Sequence, residues 1–254
     1  MRTGGRVSAA LQRIERPQAI GLVGAMAVAA AVGWEGSPFL LAVAVAFQLA
    51  AGGLGGVAII GPARPALGLA RYTTLALAGV AATLGGRAIP GDLALFVVPL
   101  VAILLWVVLW IELRGRLETG ERWMLDLTLS GILFATAVGV GAVFPASAWP
   151  PPWTVVVLAA LLLGLRAAEA RGRFGVHGVG QALLHALAVA QAIAATLLLN
   201  LPGLVGQAVV AIFFYAWSGA ADALDDGSSW RSVAVEFGSL AILGLVVALL
   251  MRQP

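Results

Sequence analysis

Apolar residues fill this chain in long runs, broken by short stretches that carry arginine, glycine or proline. Nine runs stand out, near Ile20 to Trp34, Phe39 to Ile60, Leu67 to Leu84, Leu93 to Ile111, Met124 to Phe144, Trp153 to Leu165, Val179 to Leu199, Leu204 to Ala221 and Val233 to Met251. A helix needs about 20 apolar residues to cross ~30 Å of hydrocarbon, so runs of this size predict spans. In lipid the backbone must satisfy its own polar groups, and the runs lack the polar–apolar alternation of barrel strands. Pro38, Pro62, Pro65, Pro90, Pro145, Pro150 to Pro152 and Pro202 lie between the runs, where a missing N–H removes no interior hydrogen bond. The pattern predicts an all-α, polytopic transmembrane helix bundle of about nine spans, with residues 19–254 forming a single multi-pass domain.

Residues 1–18 form a basic segment ahead of it. Val7, Leu11 and Ile14 recur at helical spacing beside Arg6, Arg13 and Arg16, which fits either a short amphipathic helix on an anionic cytoplasmic leaflet or a basic tail. The first run has the basic flank and small residues of a signal peptide, Ala29 and Ala31 among them. It continues into Gly33, Trp34 and Glu35 without a clear processing site, so a retained span is expected.

Composition sharpens this picture. Of 254 residues 61% are hydrophobic and 11% charged, against roughly 45–50% and about 25% in an ordinary soluble domain. All 15 basic residues are arginine. With nine spans, Arg2, Arg6, Arg13, Arg16, Arg64, Arg71, Arg114, Arg116, Arg122, Arg166, Arg171, Arg173 and Arg231 fall on one side, leaving Arg87 and Arg252 on the other. That asymmetry makes the first side cytoplasmic, with the N-terminus there, the C-terminus external and the plasma (inner) membrane as the location. The sequence pI near 10.5 invites a nucleic-acid reading, but arginines scattered between apolar runs do not make a binding stripe. The expected partners are the lipid bilayer and other membrane subunits. Absence of cysteine excludes disulfides, thiolate metal sites and cysteine nucleophiles.

Trp34, Trp110, Trp123, Trp149, Trp153, Trp217 and Trp230 fall near run ends, as interfacial anchors do, whereas Trp106 is deeper and reads as lipid-facing or packed bulk. No repeat of 20 to 50 residues is visible.

Intramembrane polar groups are costly enough to mark candidate sites, and they are few. His185 lies about two turns into the seventh run with Gln181 one turn away on the same face. The pair could bind a polar ligand, relay a proton or ligate a tetrapyrrole metal, against the plainer role of a helix–helix hydrogen bond. Gln48, Gly52, Gly56 and Gln191 could line a substrate path. Their plainer roles are interhelical hydrogen bonding and GxxxG-type packing; the sharper reading of the Gly52–Gly56 stretch is local unwinding that exposes carbonyls. Asp222, Asp225 and Asp226 form the densest carboxylate group, yet they lack EF-hand spacing and read as a helix end, a Gly227 turn and a Ser-capped next helix. Glu112 with Arg116, Asp126 with Arg122 and Glu169 with Arg173 share i,i+4 spacing and read as solvated helix ends. Glu236 sits just inside the last run and could answer Arg231 or an arginine from another loop. No HExxH or GxSxG motif is present, and no metal or cofactor is implied. These residues favour a non-catalytic scaffold or accessory subunit over a permease for a small neutral or lipid-like substrate, and over a pigment- or cofactor-binding protein centred on His185.

Overall fold

The computed structural model describes residues 16–35, 37–61, 68–114, 122–145, 147–201 and 203–251. Among them are nine α-helices and no strand: α1 (Arg16–Glu35), α2 (Pro38–Ile60), α3 (Ala70–Gly85), α4 (Ala94–Arg114), α5 (Arg122–Val143), α6 (Trp153–Ala170), α7 (Gly175–Leu198), α8 (Gly203–Asp225) and α9 (Trp230–Leu250). The chain is a polytopic helical membrane protein, and eight of these helices are long and apolar enough to cross a bilayer. The exception, α3, has 16 residues, about 24 Å at 1.5 Å per residue. It nevertheless runs antiparallel alongside α2, with Tyr72 at Gly56, Ala76 at Gly52 and Thr83 at Gln48. The proposed amphipathic residues Val7, Leu11 and Ile14 lie outside the described residues.

Several helices run further than their apolar runs. Helix α4 continues through Arg114, α6 continues through Arg166 to Ala170, and α7 starts at Gly175 instead of Val179. Hydropathy falls where charges begin, but the i→i−4 ladder does not depend on side-chain polarity and continues until a terminating residue. Helix α6 ends this way at Gly172, whose φ is 76°, a conformation that costs glycine least. Helix α8 ends at Gly227, with φ 85°, and Ser229 then caps α9 by accepting from Ser232 N at 3.2 Å.

The chain divides into two compact units, Met1–Gly115 and Arg116–Pro254. In the first, α1 and α3 each pack on both α2 and α4, closing a four-helix ring that α1 and α3 also bridge internally. In the second, α5 and α7 each pack on both α6 and α8 in the same order, and α9 is added against α8. The two units share this order of neighbours, but the cross-ring contact is chiefly α1 to α3 in the first and α6 to α8 in the second.

Lipid tails are as apolar as leucine, so contact between membrane helices comes from close packing and hydrogen bonds, not from expelling water. Gly52 shows the first. A Cβ there would lie 2.5 Å from Ala76 Cα, so α2 and α3 touch backbone to backbone. Helix α2 is unbroken through Gly52 and Gly56, which sets aside the unwound alternative. Trp123, Trp149, Trp153 and Trp230 are exposed near helix ends as anchors should be, and Trp106 is exposed within α4. Trp34 is a correction: it is buried and donates its indole N–H to Ala82 O at 3.0 Å, tying α1 to α3.

Candidate functional site

The densest polar assembly of the second unit lies where α5 and α7 begin and α6 and α8 end. Its deepest member is His185, fully buried on α7. Nδ1 is 2.8 Å from Gln181 O and Nε2 is 3.1 Å from Ser218 Oγ on α8. A carbonyl only accepts, so Nδ1 carries the proton, and Nε2 of the neutral imidazole accepts from the serine hydroxyl. Both ring nitrogens are thereby engaged. Phe214 stands at 5.3 Å between ring centroids. Gly164 of α6 lies so close that a Cβ there would sit 2.7 Å from His185 Cβ. The histidine joins α7 to α8 while α6 presses on its base.

Toward the helix ends, Arg171 in the α6–α7 turn reaches into the ring with its side chain only 3% exposed. Its guanidinium donates to both oxygens of Asp126 on α5, at 3.2 and 3.1 Å, to Ser218 O at 3.0 Å and to Asp222 Oδ2 on α8 at 3.0 Å. It also binds Asp222 Oδ1 through Nε. Burial disfavours this charge, but the hydrogen bonds and charges of Asp222 and Asp126 outweigh it and hold the Arg171 pKa above its ordinary value. Arg122 stands 3.6 Å from Asp222, and Arg173 binds Asp225 while donating to Gln181 Oε1 at 3.0 Å. Three guanidinium groups thus face three carboxylates, a charge-balanced clasp across α5, the α6–α7 turn and α8.

This geometry changes several pairings read from spacing alone. Asp126 does not form a solvated i,i+4 pair with Arg122; it is 4% exposed and bound by Arg171. Asp222 and Asp225 are held by arginines, whereas Asp226 is exposed in the turn. Among the described residues, no group of three or more His, Asp or Glu is arranged to hold a metal ion.

The first unit has its own polar contacts. Gln48 of α2, fully buried, donates to Met26 O at 2.8 Å and to Thr83 Oγ1 at 3.1 Å, linking α1, α2 and α3. Arg71, at the start of α3, binds Glu112 near the end of α4 through that residue's backbone oxygen, with the carboxylate 3.8 Å from Nε. Glu112 is likewise buried and not a solvated helix end. An arginine near the start of the third helix joined to a carboxylate near the end of the fourth recurs in the second unit as Arg171 and Asp222. Gln191 is exposed on α7.

Sequence reasoning found His185, Gln181 and Gln48 but missed Arg171, Arg71 and Ser218. Arginine count had assigned the two arginines to topology, and a lone serine in an apolar run carries no signal. Comparison with protein-family models, curated proteins and solved structures returns no match.

Proposed function

We propose that this integral membrane protein is a non-catalytic scaffold or accessory subunit of a membrane assembly. The observation that carries the reading is the closure of the His185 site. The imidazole is buried, both its nitrogens are engaged by Gln181 and Ser218, and Gly164 and Phe214 pack against it. A proton relay or tetrapyrrole ligand would have to surrender one of these bonds, and buried polar groups that already have partners are worth most as helix–helix ties. Gln48 supports the same reading from the first unit, since its amide joins three helices.

His185→Gln tests this, because an amide can keep part of the hydrogen bonding. The expected result is a stability loss of about 1 kcal/mol or less, the scale of an intramembrane side-chain hydrogen bond. The absorption spectrum and co-purifying molecules should be unchanged. Intact stability together with loss of a bound chromophore, or of solute uptake in liposomes, would make His185 a functional centre and overturn the proposal.

A further inference from the structure

Helix α9 is added to the second ring against α8, and its outer face carries Glu236, an exposed carboxylate. Two close contacts fix its register on α8: a Cβ at Gly219 would lie 2.3 Å from Phe237, and one at Gly244 would lie 3.2 Å from Ile212. That register sets Glu236 level with Ala220, between Asp222 of the clasp and Ser218 of the His185 site. Glu236 is therefore about 3 Å further along the span than Asp222. Asp126 and Asp222 are each bound by guanidinium groups. Glu236 is exposed and has no ion-pair partner among the described residues. Arg231, the nearest cation in sequence, instead lies over the Trp230 ring at 5.6 Å.

Ser232 and Ser239, four residues before and three after Glu236, are exposed on the same face, which Leu243 and Val246 continue. A carboxylate facing hydrocarbon is expensive, and ionisable side chains within spans are almost always paired. We propose that the Ser232–Glu236–Ser239 face of α9 docks a transmembrane helix of a different polypeptide, one that presents an arginine or lysine in the same leaflet. Ser232 supplies a further interhelical hydrogen bond, Ser239 can accept one while its hydroxyl donates to Glu236 O at 2.8 Å, and Leu243 and Val246 supply packing. A second copy of this chain is a poor occupant, because two parallel α9 helices would set one Glu236 against the other. The proposal rests on the accessory-subunit reading and names the surface and chemistry of the partner.

The test uses the full-length protein in liposomes with synthetic transmembrane Leu/Ala peptides as probes. One peptide carries a single arginine one to two turns from an end, a second carries glutamate there, and a third is wholly apolar. Association is read by energy transfer from a fluorophore on the peptide to an acceptor on Ser228→Cys, the sole thiol. The arginine peptide should bind about fivefold more tightly than the apolar one, the scale of one intramembrane polar contact. Glu236→Gln should abolish most of that preference, and Glu236→Arg should transfer it to the glutamate peptide. Equal binding of all three peptides to the parent overturns the proposal. So does self-association, read as disulfide-linked dimers of Ser239→Cys, or a Glu236 dependence that follows vesicle ethanolamine headgroups instead of the peptide. These failures leave His185→Gln untouched, so they are distinct from failure of the scaffold reading, which shows as lost chromophore or uptake.

Discussion

Replacing Arg171 with alanine isolates what the clasp contributes. The substitution removes the Nε contact to Asp222 and the two N–H groups of Nη2, which both Asp126 oxygens, Asp222 Oδ2 and Ser218 O share. Asp222 keeps Arg122 at 3.6 Å, so the larger penalty falls on Asp126, whose side chain is 5% exposed. Stranding a buried charge by deleting its partner costs about 3–5 kcal/mol, whereas an exposed pair is worth about 1 kcal/mol or less. Arg171→Ala should therefore destabilise the protein by about 3 kcal/mol or more, measured by equilibrium unfolding in mixed micelles. Because replacing a buried ion pair with apolar side chains is often neutral, Arg171→Met combined with Asp126→Leu should recover at least half of that loss. The raised Arg171 pKa also sets a sign. Its contribution is fully present below the unfolded value and lost only as pH passes the folded one, so raising pH from about 8 to 10 should leave the clasp intact. The reasoning fails if Arg171→Ala stays within ~1 kcal/mol of the parent, or if the double variant is no more stable than the single one.

Other outcomes follow from the same structure. Gly52→Ala should lower thermal stability sharply, because the new methyl meets the Ala76 backbone, whereas Gly53→Ala, with nothing within 4 Å, should be neutral or raise it by up to about 1 kcal/mol. Melting curves of both variants decide this, and equal effects would refute the backbone contact. Millimolar Ca²⁺ should leave the melting temperature unchanged, since Asp222 and Asp225 are taken by arginines; a concentration-dependent rise would reveal a site. A topology reporter fused after Arg173 should read cytoplasmic and one after Pro254 external, and finding both on one side would contradict an odd number of crossings.

The class of this protein is legible in its residues alone. Length, apolarity and proline placement along nine runs are local quantities, and lipid permits such runs few conformations besides the helix. Thus α2 and α5 are legible within a few residues, and the turn at Gly227 followed by the Ser229 cap could be read from residue type. His185 and Gln48 were also legible as candidates, because a polar side chain inside an apolar run stands out without knowledge of its neighbours. Their partners were not. Spacing offered Asp126 to Arg122, but the structure gives Asp126 to Arg171, and it joins Glu112 to Arg71, which spacing did not offer. Those matches emerge only from packing, as do the burial of Trp34, the two four-helix rings and, among the described residues, the unpaired Glu236 on α9. Helix formation is governed by neighbours along the chain, whereas the ring order and its ion pairs depend on which faces of distant helices meet. Many faces of Ala, Gly, Leu and Val are alike in sequence, and backbone approaches such as Gly52 to Ala76 distinguish them only once the helices have packed.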